Sequence, residues 1–489
     1  MLRVTMDTDG YQQVAETVPE FQVKVFDLRD RSEEEIADGR RDIKLAMDHR
    51  VYDTRRWPMY AVAISRESGD IMHFSMEFAV ADWTSIWHLL YEFEQIYFHP
   101  EKELKQPGIT FRDYLIAHKK LCCGSGFFRD REYWLKRIDI LPKAPEPPVN
   151  KSIVTENVRF SHENIKLSKP QWDHFCEIAR SLGVTSSTAV MTAYGAVLAR
   201  WSRNKSFCLN LSILNRLPLH EEVNDIVGDF TAGSLLEMNM DQGGSFLDMA
   251  LRTNRRLFDD LDHRLFTGVN VLRELQKKNG GKGSLMPYVF TGAIGLIPAE
   301  RSGLVGRMTS NGISQTAQVF MDCQAMDSAE GLNINLDTRD GVFKENVVRD
   351  ISFALKGLLE ELSSDKERWT EPGFEIPLPA YQRAKRSEAN STQKKQPRYL
   401  LHESVLSAIK TASEALAVAD AQAEWSGAGL YEQICRIAAA LKENGTEKGD
   451  RVVIALPKSR WQLAACLAVL SLGAAYVPVD VGWRSRCSP

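Results

Sequence analysis

Residues 371–400, EPGFEIPLPAYQRAKRSEANSTQKKQPRYL, divide the chain into two patterns that cannot share one core. The stretch is polar, basic and rich in Pro and Ser, and buries too little apolar surface to order itself. It reads as a linker. Residues 401–489 beyond it carry an amphipathic helix, the apolar run RVVIALP, another helix and the run AAYVPVD. A strand–helix–strand series of this kind predicts a parallel α/β unit, because parallel neighbours need a crossover.

Before the linker, strands and helices mix irregularly, which predicts an α+β fold with central strands covered by helices. AVAIS (61–65) and IMHFSMEFAVA (71–81), joined by RESGD, predict a hairpin. SIWHLLYEFEQIYF (85–98) has helical spacing with Ser85 at its start, and RDREYWLKRIDIL (129–141) is a second amphipathic helix. The proline-rich PKAPEPPVN (142–150) suits a stiff linker between a first lobe, 1–150, and a second, 151–370. In the second lobe, 169–183, 185–202, 245–263 and 347–365 read as helices, and 206–214, 286–295 and 332–338 as strands.

Several chemistries are excluded. Net charge is −4 over 489 residues, so no basic surface points to nucleic acid or to a membrane. No apolar run reaches the roughly 18 residues that span a bilayer, and the N-terminus lacks a signal-peptide core, which predicts the cytoplasm. The eight cysteines form no CxxC pair and the ten histidines no zinc spacing, so no metal is expected. GGKGS (280–284) lacks the spacing of a phosphate loop, and no GxSxG elbow is present.

One stretch resists a purely structural reading. MEFAVADWTS (76–85) sets Glu77 and Asp82 in apolar surroundings, where a carboxylate needs a partner or a task. Together with HRVYDTRRWPMY (49–60), LNRLPLHEEVNDIVGDFT (214–231) and GISQTAQVFMDCQ (312–324), it resembles the heterocyclization domain of nonribosomal peptide synthetases, a relative of the condensation domain. That family's DxxxxDxxS signature stands here as Glu77, Asp82 and Ser85. The resemblance spans residues 1 to about 370, and 430–480 resembles the opening of an adenylation domain, as in thiazoline siderophore synthetases. It implies two chloramphenicol-acetyltransferase-like lobes, the first lacking its opening helix and strand, then a linker and a partial adenylation domain.

The resemblance also implies roles. Asp82 would pair with Arg216 and hold the fold, while Glu77 is divided between structure and tuning of the substrate tunnel. Phe78 stands where an ordinary condensation domain has its second His; it cannot titrate or hydrogen-bond. Asp322 matches the family's carboxylate after the SQTPQ segment and would be general acid/base. Thr316, six residues earlier on an extended segment, would hydrogen-bond the substrate carbonyl or orient the carboxylate, although Ala317 replaces the usual Pro. Asn215 is a third candidate, for orienting the intermediate. Cys323 is set aside, because the thiol of this chemistry belongs to the substrate.

The implied reaction joins an acyl thioester to the amine of a carrier-bound Cys, Ser or Thr and closes a thiazoline or oxazoline ring. No cofactor is expected on this chain; the phosphopantetheine arms of upstream and downstream carrier domains would deliver substrates. After Asp480 the adenylation pattern lapses in VGWRSRCSP, so the chain reads either as a fragment of a larger synthetase or as a truncated, inactive gene product. A non-catalytic scaffold docking carrier domains and an amide-forming enzyme without cyclization are the alternatives.

Overall fold

A computed structural model describes all residues but 1, 153–157, 242, 279, 281–285, 297–311, 394–398 and 482–489. Most of GGKGS and nearly all of VGWRSRCSP therefore lie outside the described residues. The chain forms two compact units, Met1–Arg383 and Ala384–Pro489.

The first unit opens with β1 (Val4–Met6) antiparallel to β2 (Gln12–Val14). β3 (Lys24–Asp27) leads into α1 (Glu33–Asp48), whose start is fixed by the reciprocal Ser32–Glu35 capping box. β4 (Tyr60–Arg66) returns parallel to β3 and forms the expected hairpin with β5 (Asp70–Met76), giving the order β3-β4-β5. β5 stops five residues earlier than the sequence pattern predicts. The reason is Asp82, whose side chain accepts the Ser85 N–H and starts α2 (Trp83–Phe98) two residues before Ser85. Residues 78–80 then make the turn between strand and helix. α3 (Phe111–Leu121) and α4 (Ser125–Arg137) come next.

Residues 142–150 have neither helix nor strand but are strapped to the second lobe. The Lys143 carbonyl accepts the Cys208 N–H at 2.9 Å, and the Glu146 N–H donates to Ser202 Oγ at 2.7 Å. Asn150 Nδ2 donates to the carbonyls of Gly341 and Phe343. α4 also leans on the second lobe, sharing an apolar cluster of Trp134 with Cys208, Leu235, Phe266 and Val271.

The second lobe runs β6 (Phe160–Ser168), α5 (Lys169–Ser181), α6 (Ser186–Trp201), β7 (Ser206–Leu214), β8 (Thr231–Asn239), α7 (Phe246–Leu261) and α8 (Gly268–Lys278). It continues with β9 (Tyr288–Ala293), β10 (Met321–Ser328), β11 (Gly331–Arg339) and α9 (Val347–Ser364). Six strands pair in the order β6-β11-β10-β9-β7-β8, with β9 parallel to both neighbours. Alternation sorts the side chains. Leu209, Phe290, Cys323, Ala325, Ile334 and Leu336 face the main core with Phe175 and Tyr194 of the covering helices. At roughly 1.5–3 kcal/mol per buried large side chain, this face is what fixes the sheet. The opposite face is polar at β10 and β11.

α10 (Glu367–Thr370) and α11 (Ala380–Asn390) close the series. The stretch expected to be linker begins as packed chain: Phe374 lies on the core, Ile376 is buried, and Tyr381 and Gln382 both donate to Asp350 Oδ2. In the second unit come α12 (Leu401–Thr411), β12 (Leu416–Ala419), β13 (Glu424–Ser426) and α13 (Gly427–Glu443). β14 (Arg451–Ile454), α14 (Arg460–Ser471) and β15 (Ala475–Pro478) complete it, with β14 and β15 parallel as predicted. Leu430, Ile434, Ala464 and Leu467 make its small core. Among the described residues no single helix is long and apolar enough to cross a membrane.

Candidate active site

Asp82 is wholly buried, and every lone pair it offers meets a protein donor. Its Oδ1 accepts the Ser85 N–H at 2.7 Å and Arg216 Nη2 at 2.8 Å; its Oδ2 accepts Arg216 Nε at 3.3 Å and the Phe230 N–H at 3.4 Å. The predicted ion pair is present. Arg216 goes further, donating to the carbonyls of Val223 and Ile226 and to Ser85 Oγ, while its guanidinium lies 4.0 Å from the Phe230 ring centroid. Ser85 Oγ in turn donates to the Gly228 carbonyl at 2.9 Å. Asp82, Ser85 and Arg216 thus tie the start of α2 to the 214–231 segment. Glu77 is half-buried just past β5, and its side chain makes no hydrogen bond or ion pair among the described residues. Phe78 is exposed.

Asp322 lies elsewhere, on the polar face of the six-stranded sheet. Met321 and Cys323 point into the core on either side of it, so strand alternation puts its carboxyl opposite. Thr291 Oγ1 on β9 donates to Asp322 Oδ1 at 3.0 Å, and Gln324 Nε2 to Asp322 Oδ2 at 2.9 Å. Burial outweighs these two hydrogen bonds and pushes the carboxyl up to about 6. Gln324 donates equally to Asp337 Oδ2, at 3.0 Å, because β10 and β11 pair Asp322 directly with Asp337. Asp337 is wholly buried, and burial pushes it up to about 7. Sequence reading missed Asp337, Gln324 and Thr291. LNINLDT does show apolar residues alternating with Asn333, Asn335 and Asp337, which marks a strand with one polar face, but the register that joins two aspartates is not written in either strand.

The SQTAQ segment reaches both lobes. Ser314 N–H donates to Asp337 Oδ2 at 2.7 Å, and Arg339 Nη1 to the Ala317 carbonyl at 2.7 Å. Gln315 Nε2 donates to the Asp48 carbonyl at the end of α1 at 2.5 Å, with His49 Nδ1 3.4 Å from its Oε1. Thr316 is exposed at the head of a turn closed by the Val319 N–H on its carbonyl, so 316–322 is not the extended segment expected, and no hydrogen bond joins Thr316 to Asp322. Asn215 is buried beyond the end of β7; its carbonyl accepts Tyr114 Oη at 2.9 Å and its side-chain Oδ1 has no hydrogen-bond partner among the described residues. Cys323 is buried on the core face, away from this surface, and burial raises its thiol. Among the described residues no cluster of His, Cys, Asp or Glu could hold a metal ion.

The model of the condensation domain matches residues 1–370. The chain belongs to the condensation-domain family. Residues 407–486 match the AMP-binding enzyme family, so this condensation domain is followed by the start of an AMP-binding domain. It is 33% identical over 98% of its length to pyochelin synthetase PchF of Pseudomonas aeruginosa, covering 26% of that protein. It is 29% identical over 98% of its length to phenyloxazoline synthase MbtB of Mycobacterium tuberculosis, covering 34%. The condensation-domain chain therefore spans about a quarter to a third of these curated relatives. Among solved structures, the nonribosomal peptide synthetase FmoA3 superposes over the whole chain and 50% of its own, with TM-score 0.79 at 26% identity. The EpoB cyclization-docking bidomain of Sorangium cellulosum superposes over 76% of this chain and 75% of its own, with TM-score 0.66 at 27% identity.

Proposed function

We propose that this condensation domain joins an acyl thioester to the amine of a carrier-bound Cys, Ser or Thr and then closes the new amide to a thiazoline or oxazoline. The observation that carries the reading is the partly buried Asp322 carboxyl, which meets only neutral donors and which desolvation raises to about 6, where it can both take and return a proton. The thioester drives the first step, so little proton transfer is needed there. Phe78, standing where the relatives of ordinary type have a histidine, fits that demand. In the second step the side-chain thiol or hydroxyl attacks the amide carbon while Asp322 takes its proton and passes it to the adduct oxygen. The adduct hydroxyl then takes a second proton, relayed by Asp322 from the nitrogen, and leaves as water as the C–O bond breaks and the C=N bond forms.

Asn215, with its unpaired buried amide oxygen, suits a role in orienting the intermediate, and Thr316 would act only if its turn closes over the substrate. The substrates would arrive on the phosphopantetheine arms of upstream and downstream carrier domains, in the cytoplasm, as part of a synthetase making a siderophore or similar metabolite. Mass spectrometry of product released from carrier-bound substrates tests this. A product lighter than the linear amide by one water supports it; linear amide alone identifies an amide-forming enzyme, and no turnover identifies a docking scaffold.

A further inference from the structure

Asp337 is buried and, among the described residues, carries no ion pair and has one oxygen, Oδ1, without a hydrogen-bond partner. It stands directly opposite Asp322 in the antiparallel register, where facing side chains share one side of the sheet with Cβ atoms about 4.5–5.5 Å apart. Gln324 Nε2 donates to both carboxyls, and the Ser314 N–H adds a bond to Asp337. We propose that Asp337 is a positioning residue for Asp322: the two carboxyls act as one unit that holds a single proton, so that Asp337 sets the pH range in which Asp322 can take a proton and give it back.

Two like charges this close cannot both form easily out of water. Burial pushes Asp322 up to about 6, and burial together with the charge on Asp322 pushes Asp337 up to about 7, so the pair titrates in two steps. Between those values the pair has one proton and one empty acceptor, which is what an addition followed by loss of water requires of a single site. The other ionisable groups around Asp337 do not cancel this. Burial lowers the pKa of His162, its cross-strand partner on β6, and Asp48 at the end of α1 adds a further negative charge, itself 3.2 Å from Lys44. His49 meets Gln315, and Arg339 is engaged with the Ala317 carbonyl. Ser314 and Gln315 are neighbours, so the loop that contacts Asp337 is the one latched to the first lobe.

The proposal rests on ring closure at Asp322 and is tested so that the two can fail separately. Ring closure and amide formation on carrier-bound substrates are followed from pH 5 to 9 in the wild type and Asp337→Asn, and the carboxyl C=O band of the same proteins is titrated by infrared difference spectroscopy without substrate. The wild-type ring-closure profile should be a bell. In Asp337→Asn the alkaline limb should vanish, the acid limb should stay where it is in the wild type, and one infrared titration step should be lost. Amide formation should fall less than ring closure. If Asp337→Asn does not fold, Asp337→Glu keeps the charge and should keep the bell with displaced limbs. An unchanged bell with unchanged titration steps in either variant overturns the proposal. Two coupled steps in a protein that closes no ring would leave the pair standing and overturn the cyclization reading instead.

Discussion

At the start of α2, both oxygens of the buried Asp82 are taken by Arg216 and by backbone N–H groups of Ser85 and Phe230. On the polar face of the large sheet, Asp337 is also buried and Asp322 partly so, but the hydrogen bonds that reach them come from Thr291, Gln324 and the Ser314 N–H, all neutral. A carboxylate that meets a guanidinium at every angle has no lone pair left for a substrate and serves as a fastener. A carboxyl that meets only neutral donors is costly to ionise and keeps its proton within reach. On the proposed reading, the surroundings of an acid, more than its burial, separate the structural residue from the chemical one.

The largest expected effect tests the chemical side. Asp322→Asn should slow ring closure by about 10²–10⁴-fold, the range of a lost general acid–base group, while linear amide accumulates on the carrier. Equal loss of both steps would show that Asp322 supports the fold and would erase the contrast. Next comes Asp82→Ala, which leaves Arg216 buried without its partner and should cost roughly 3–5 kcal/mol, read as a fall in Tm or as aggregation. A soluble Asp82→Ala variant with unchanged melting and no turnover would move Asp82 into the reacting set.

The third effect is smaller and has a definite sign. Asp322 and Asp337 ionise at higher pH in the folded chain than the ordinary carboxylate value of 3.8. The folded state therefore binds more protons, and the stability it owes to these groups is present below about 4 and lost as pH rises through about 6 and about 7. The rise at Asp322 corresponds to at most about 3 kcal/mol. Asp322→Asn and Asp337→Asn should each flatten the decline of Tm between pH 5 and 8 seen in the wild type. A wild-type Tm that climbs over that range would show that the two acids are paired more strongly than their hydrogen bonds indicate.

The same contrast separates what is legible in the sequence from what is not. The hairpin β4–β5, the helices α2, α5, α6, α7 and α9, and the parallel pair β14–β15 follow from periodicity, because each buries one face against a neighbour. The start of α2 falls two residues before the point that spacing predicts, since a cap depends on which of Asp82 and Ser85 turns its oxygen to the free N–H groups. β6, β8 and β10 carry weaker patterns that do not separate from their surroundings. Asp322 and the Asp82–Arg216 pair are legible through family motifs. The tie between Asp322 and Asp337 is not, because it arises from strand register and from a Gln324 side chain that bridges two strands. The hydrogen bonds that strap residues 142–150 to the second lobe and the packing of Phe374 and Ile376 are hidden likewise, since proline-rich and polar segments look alike whether free or strapped to a core.

Glu77 offers the finest test, because it stands between the two kinds of acid. Its backbone ends β5, with its N–H on the Met59 carbonyl at 2.9 Å and its carbonyl accepting the Val80 N–H at 3.2 Å. Its side chain is half-buried and has neither the guanidinium of Asp82 nor the neutral donors of Asp322. Its charge is felt by Tyr52, whose hydroxyl is pushed up mainly by burial and further by Glu77. Glu77→Gln keeps the shape and removes that charge, so stability should change by no more than about 0.5 kcal/mol. The Tyr52 hydroxyl should titrate at slightly lower pH, which ultraviolet difference spectra can follow. A loss of more than about 2 kcal/mol would make Glu77 a second fastener like Asp82. A raised KM for the tethered acceptor with kcat retained would instead place its carboxylate along the substrate path, on the chemical side of the contrast.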